Sequence, residues 1–341
     1  ATPFVGIVDT SLMGNIGSAK YLAATSIATS VITMIFWSFG FLRMGTVGIV
    51  AQSLGKGDYR EIVATTLRNL CLAFFIGIII FFLKSPIIYL IEYFFKPSSE
   101  IQSLINEYIS IRVLSAPAEL SLYVLTGLFL GLQMTKISSL MISFFCLTNI
   151  LFSIYFVRSL EMDIYGVALG TVISAYITGF IFLIFSYYYV KNKFNINAQI
   201  NRLFSYKKLI KLFNINFDIF VRTILLTFAF LWFTYQSAKL GTDYLAVNTI
   251  LLQFVIISSF FLDAYAFATE GVIGYAIGKK VKKSFMFSVD NSLKLSFFSS
   301  LIISLFYVIF FKDLINVMTD LDYVRYLSYG FIFWVILIPP V

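Results

Sequence analysis

Apolar runs separated by short polar stretches divide the chain into ten hydrophobic segments, roughly 1–14, 22–54, 61–95, 101–133, 137–157, 164–190, 217–238, 244–277, 284–311 and 323–341. Most of them reach the ~20 residues that a helix needs to cross a bilayer. None shows the period-2 polar alternation of a barrel strand, so the pattern predicts membrane-spanning helices. Several are longer than one crossing requires, which predicts tilt or kinks.

Composition agrees with lipid as the solvent. Of 341 residues, 60% are hydrophobic and only 12% charged, with a mean hydropathy of +0.91. A water-soluble domain of this size cannot bury so much apolar surface behind so few charges. The net charge of +8 carries topology rather than nucleic-acid binding. Thirteen Lys and Arg lie in the loops after even-numbered segments, and six in the loops after odd-numbered ones. The positive-inside bias then places the even loops and the N-terminus in the cytoplasm of a multi-pass cell-membrane protein.

A duplicated stretch orders the segments. Residues 17–57 return, altered, as 241–280, and beyond one gap the copies lie 223 residues apart. Gly17/Gly241, Tyr21/Tyr244, Leu22/Leu245, Ala23/Ala246, Ile27/Ile250, Thr46/Thr269, Gly48/Gly271, Gly55/Gly278 and Lys56/Lys279 coincide, against about three identities expected by chance for so long a period. Six spans separate the copies, so both point the same way: two six-helix halves related by a pseudo-two-fold axis along the membrane normal. The expected organisation is an all-α integral membrane protein. It has an N-lobe over 1–190 (helices 1–6), a cytoplasmic basic amphipathic linker over 191–216, and a C-lobe over 217–341 (helices 7–10). Matching halves would need about 70 further residues and twelve spans in all, so the chain reads as a fragment lacking the last helices. In the linker, RLFSYKKLIKLF (202–213) sets Leu203, Leu209, Ile210 and Phe213 against Lys207, Lys208 and Lys211. That is the pattern of a helix lying on an anionic leaflet, or simply of a solvated basic connector.

Ionisable residues inside spans carry the chemistry, because a charge at the bilayer centre costs several kcal/mol and faces a cavity or a partner. Asp9, in GIVDTSLMGNIG, has Thr10 beside it and Met13 one turn on along the same face. It is the first candidate for exchanging a proton or cation; the plainer reading is a helix-to-helix hydrogen bond. Asp263 and Glu270 share a face of the eighth segment, seven residues apart, and align in the first copy with Gly40 and Val47. The halves thus carry their acids on different helices. The pair is a candidate for a second cation or proton site, or for a buried hydrogen-bond network. Arg43, Arg222 and Asn149 are candidates for lining a cavity, although Arg222 stands four residues after Asp218, the spacing of a local ion pair, and Asn149 could serve as inter-helix glue. Gly127 and Gly131 have the spacing of close helix packing, and Pro117 allows a bend. Cys71 and Cys146 are isolated thiols, histidine is absent, and no nucleophile–base pair, metal-ligand spacing or phosphate loop is visible. No enzyme, metal or cofactor is predicted.

The runs PFVGIVDTSLMGNIGSAKYLAA and FWSFGFLRMGTVGIVAQSLGKGD, with LDAYAFATEGVIGYAIG in the second copy, resemble the multidrug and toxic compound extrusion (MATE) family, in particular its DNA-damage-inducible protein F branch. The resemblance implies a twelve-helix exporter with a cavity between two lobes. It would export cationic or amphipathic compounds by alternating access, coupled to H⁺ or Na⁺ influx, and would act as a monomer. It also implies that Asp9 matches the family's first-helix aspartate, Asn149 a polar position of the fifth helix, and Asp263 and Glu270 acidic positions of the branch. A lipid or polysaccharide-precursor flippase would share the two-lobe plan, and a non-transporting scaffold or receptor would leave the intramembrane acids without a task.

Overall fold

A computed structural model of the protein describes residues 8–9, 12–13, 19–194, 206–318 and 322–340. Among these residues all regular structure is helical. The helices are α1 (Ala19–Ser38), α2 (Phe41–Lys56), α3 (Tyr59–Phe82), α4 (Lys84–Phe95), α5 (Ser99–Arg112), α6 (Ala116–Gly131), α7 (Thr135–Arg158), α8 (Asp163–Phe194), α9 (Tyr206–Lys239), α10 (Thr242–Lys279), α11 (Lys282–Met318), α12 (Asp322–Tyr329) and α13 (Ile332–Leu337). Eight helical stretches among the described residues are long and apolar enough to cross a membrane. The first predicted segment lies almost wholly outside the described residues, and the tenth forms the short pair α12 and α13.

Breaks within the long segments have local causes. Pro86 has no N–H for the carbonyl of Phe82, and the helix stops there before restarting as α4. Pro117 likewise cannot bond Val113, and a 3₁₀ turn over Val113–Ser115 joins α5 to α6. At Phe39 and Gly40 the ladder tightens, with Gly40 N–H bonded to Trp37 O at 3.0 Å. That break sits where the second copy has Asp263, inside an unbroken α10.

The repeat extends further in structure than in sequence identity. Gly57 ends α2 in the left-handed region at φ 73°, and Lys280, 223 positions on, ends α10 in the same region at φ 57°. The capping bonds correspond one for one. Gly57 N–H reaches Leu54 O at 3.1 Å and Asp58 N–H reaches Ser53 O at 2.9 Å; Lys280 N–H reaches Ile277 O at 3.0 Å and Val281 N–H reaches Ala276 O at 3.3 Å. This is the left-handed helix stop that favours glycine. The next helices, α3 and α11, begin at matching positions, as do α5 and α12.

Residues 1–220 form one compact unit and residues 221–341 another. In the first, α6 lies against α2 through its two glycines. A Cβ on Gly127 would meet Arg43 O at 2.6 Å, and one on Gly131 would meet Val50 Cβ at 2.7 Å. The Gly127/Gly131 spacing is therefore a close-packing device, as the sequence suggests. Gly77 of α3 rests in the same way on the backbone of Pro117. Within this unit Phe220 of α9 meets Phe39 and Phe41 at the α1–α2 break, at ring separations of 6.5 and 5.9 Å. The second unit is centred on Phe254, Tyr307, Phe311, Ile315 and Val335. Of the predicted linker, 191–194 finish α8, 195–205 lie outside the described residues, and from Tyr206 the chain is already in α9.

Candidate functional site

Asp9 is half-buried, and its Oδ1 is shut away from solvent with no hydrogen-bond partner. The groups acting on its carboxyl are the Arg112 guanidinium of α5 and the Ser153 hydroxyl of α7. Ser153 is fully buried because α8 passes tightly over it at Gly170, where a Cβ would stand 2.9 Å from the Ser153 hydroxyl oxygen. One turn back on the same face of α7, Asn149 is fully buried and its Nδ2 donates to Thr171 Oγ1 of α8 at 2.8 Å. That bond fixes the amide and leaves Asn149 Oδ1 without a partner. Two acceptor oxygens without a partner, Asp9 Oδ1 and Asn149 Oδ1, thus belong to the first unit, with the Ser153 hydroxyl acting on Asp9 from one turn beyond Asn149. Buried acceptors of this kind are uncommon enough to need an explanation.

The other predicted residues fall as follows. Met13 is fully buried in the apolar core of the first unit. Thr10 lies outside the described residues. Arg43 is half-buried on α2 and acts on the half-buried Tyr123 of α6. Arg222 is exposed on α9. Asp263 is exposed and Glu270 half-buried on α10, in the second unit; nearby on the same helix, Thr269 donates to Tyr265 O at 2.6 Å and the Tyr265 hydroxyl meets Ser299 at 2.6 Å. Of the predicted set, Asp9 and Asn149 belong to the first unit and are linked through Ser153, which acts on Asp9 and stands one turn from Asn149; Asp263 and Glu270 belong to the other unit.

Sequence reasoning passed over Arg112, Tyr108, Glu119 and Ser153. Arg112 and Glu119 form an ion pair inside a span, with side chains 13% and 14% exposed. Their separation of seven residues is the one that drew attention to Asp263 and Glu270, so the signal was present in ISIRVLSAPAELSL. A cleft of about 390 Å³ lined by Tyr21, Glu107, Glu161 and Asp163 holds none of the predicted residues. Among the described residues no group of three or more Cys, Asp and Glu is placed to hold a metal ion.

A family model described as MatE matches residues 1–155 and 219–341. The chain is similar to DNA damage-inducible protein F of Escherichia coli, 29% identical over 339 residues, which is 99% of this chain and 74% of that protein. It is also similar to the multidrug export protein MepA of Staphylococcus aureus, 21% identical over 224 residues, covering 65% of this chain and 49% of that one. A solved MATE structure in complex with MaD3S superposes with a TM-score of 0.86 at 18% identity, over 99% of this chain and 76% of that one.

Proposed function

This chain belongs to the MatE family of membrane transporters, and from that footing we propose that it exports cationic or amphipathic small molecules in exchange for H⁺ or Na⁺. The observation that carries the ion coupling is the pair of buried acceptor oxygens without a partner, Asp9 Oδ1 and Asn149 Oδ1. A single carboxylate with neutral oxygens suits a proton or a small hard cation, since such ions take oxygen ligands. Each acceptor left bare in an apolar interior raises the free energy of the protein. An arriving ion relieves that cost, and so has a large differential affinity for the state that buries these oxygens. A ligand shifts a conformational equilibrium only by such a difference. Occupation of Asp9 by the ion therefore favours one face of the transport cycle, and release of the ion to the cytoplasm favours the other.

Export of drug-like compounds is supported by the likeness to a multidrug export protein and by the aromatic content of 18%, since aromatic faces attract organic cations. Asp263 and Glu270 of the second unit serve in this reading as a further proton or cation site. The loop charges put the N-terminus and the basic linker in the cytoplasm. The test is Asp9→Asn in the protein reconstituted into vesicles, with dye efflux followed under an imposed pH or Na⁺ gradient. Gradient-driven efflux should fall at least tenfold. Undiminished efflux would sink the assignment, and the gradient that drives the wild type identifies the ion.

A further inference from the structure

The two copies of the repeat end in the same helix stop but in very different charge. The tip between α2 and α3 reads Lys56-Gly57-Asp58-Tyr59-Arg60, and the tip between α10 and α11 reads Lys279-Lys280-Val281-Lys282-Lys283. Two cations and one acid give the first tip +1; four cations and no acid give the second +4. Beyond the first tip, Glu61 is paired with Arg68 at 2.9 Å. The corresponding residues of the second copy, Ser284 and Asn291, are uncharged. The next charges on α11 are Asp290 and Lys294, which cancel, and the nearest on α10 is Glu270, nine residues before Lys279.

The second tip departs from what its helices alone favour. Lys280 stops α10 in the left-handed region at φ 57°, where the first copy has Gly57 and where a side chain is disfavoured. Asp58 caps α3 by accepting from Glu61 N–H at 3.2 Å. Val281, in the same place, has no side-chain acceptor to offer, and the first turn of α11 contains no acid. Lys282 and Lys283 instead put two positive charges at the positive end of the helix dipole. All four lysines are exposed, and among the described residues none forms an ion pair. Lys279 Nζ lies over the ring of Tyr275, one turn earlier, 4.7 Å from its centre. What the tip lacks is an anion.

Apolar side chains share this tip. Ile277 and Val281 are each 45% exposed, Met286 46% and Phe287 69%. The tip joins two stretches long and apolar enough to cross a membrane, Ala246–Lys279 and Lys282–Asn316, so it stands at a bilayer surface. Cations beside open hydrocarbon match a phospholipid: acyl chains cover the apolar groups, while ammonium groups on flexible stems reach the phosphate. A soluble polyanion would cover the lysines and leave Met286 and Phe287 bare. We propose that the α10–α11 tip is a docking surface for the headgroups of anionic phospholipids, and that the α2–α3 tip is not. The lipid supplies to the start of α11 the negative charge that Asp58 supplies to the start of α3. This surface belongs to the second unit, and the proposal stands or falls independently of Asp9.

The test uses the protein in phosphatidylcholine vesicles with Phe287→Trp as a reporter at the tip. The signal of Trp37, Trp232 and Trp334 is subtracted with protein that lacks the reporter. Quenching by brominated phosphatidylglycerol, against brominated phosphatidylcholine of the same chains, gives the tip's relative affinity for the two headgroups. Phosphatidylglycerol should bind roughly fivefold more tightly or better, about the effect of one lysine near a charged surface. Lys280→Gly, which restores the glycine of the first copy, should lower that ratio about twofold or more, with a melting temperature at or above wild type. Adding Lys279→Gln, Lys282→Gln and Lys283→Gln should bring the ratio to about one. Lys56→Gln with Arg60→Gln should leave it unmoved. Equal quenching by the two lipids at the unaltered tip overturns the proposal, as does a ratio that the lysine substitutions do not lower. Loss of the preference in inorganic phosphate at matched ionic strength marks a site for soluble anions and overturns it too. If the fourfold variant cannot be purified, Lys280→Gly decides alone.

Discussion

Thr171→Val isolates one bond at the heart of the candidate site. Valine has almost the shape of threonine, so the substitution removes a hydroxyl and little else. That hydroxyl accepts from Asn149 Nδ2 at 2.8 Å and donates to Val167 O at 3.2 Å. Thr171 is 5% exposed and Asn149 fully buried, so no water replaces the lost partner. Asn149 would then have neither polar atom satisfied, since its Oδ1 already lacks a partner. Stranding a buried donor costs about 1–3 kcal/mol, but inter-helix hydrogen bonds measured in membranes average only about 0.6 kcal/mol, because the unfolded chain in the bilayer also finds partners. The smaller figure should govern stability, and the melting temperature should drop only slightly.

Function should suffer more from Thr171→Val. The amide is aimed by its Nδ2 bond, and a freely turning Asn149 no longer holds Oδ1 fixed one turn from Ser153, the residue that acts on Asp9. Losing about 1.4 kcal/mol of ion binding is a tenfold change, so the half-maximal ion concentration should rise about tenfold. Thr171→Ser, which keeps the hydroxyl, should behave as wild type. Efflux with wild-type ion dependence in Thr171→Val would refute the claim that this bond orients the site.

Two further substitutions test the fold. Gly77→Ala would place a Cβ 2.5 Å from the backbone of Pro117, whereas Gly48→Ala meets nothing within 4 Å; the alanine gain in a helix is about 1 kcal/mol and overpacking costs about 1–3 kcal/mol. Gly77→Ala should therefore melt lower than wild type and Gly48→Ala at or above it in a thermal size-exclusion assay, and the reverse order would contradict the packing at the bend. In the second unit, Tyr307→Phe keeps the edge-on ring contact with Phe254 at 5.3 Å but loses the hydroxyl contacts to Ser258 at 2.9 Å and Phe254 O at 3.1 Å. Melting should fall by an amount equivalent to about 0.6 kcal/mol per lost bond, and no change would show that the hydroxyl is idle.

What could be read in advance follows from which interactions are local. Hydropathy marks spans because a bilayer demands satisfied backbone over a fixed thickness, and the segments match the helices to within a few residues at Lys56, Arg158 and Lys279. Helix stops are also local: Gly55-Lys56-Gly57 and its copy Gly278-Lys279-Lys280 end α2 and α10 with the same bonds, although the second copy has Lys in place of the glycine. The breaks at Leu83 and at Phe39–Gly40 lie inside apolar runs, where hydropathy registers neither the missing N–H of Pro86 nor the tightened turn at Gly40.

The site was legible only in part, for a different reason. Asp9 and Asn149 stand out singly as polar residues in apolar surroundings. Ser153 does not, since serine is an ordinary inter-helix residue; its role depends on Gly170 of another helix pressing against it. Arg112 and Glu119 read as a local pair that cancels, and in isolation the sum of their charges is zero. Only the folded chain brings the Arg112 guanidinium to act on the Asp9 carboxyl. Asp263 and Glu270 put two acids on one helix of the second unit. If each unit offers an acid to the cation, Glu270→Gln should change how many ions move per substrate more than it changes the affinity set at Asp9, and an unchanged ratio of ions to substrate in vesicles would refute a second ion site there.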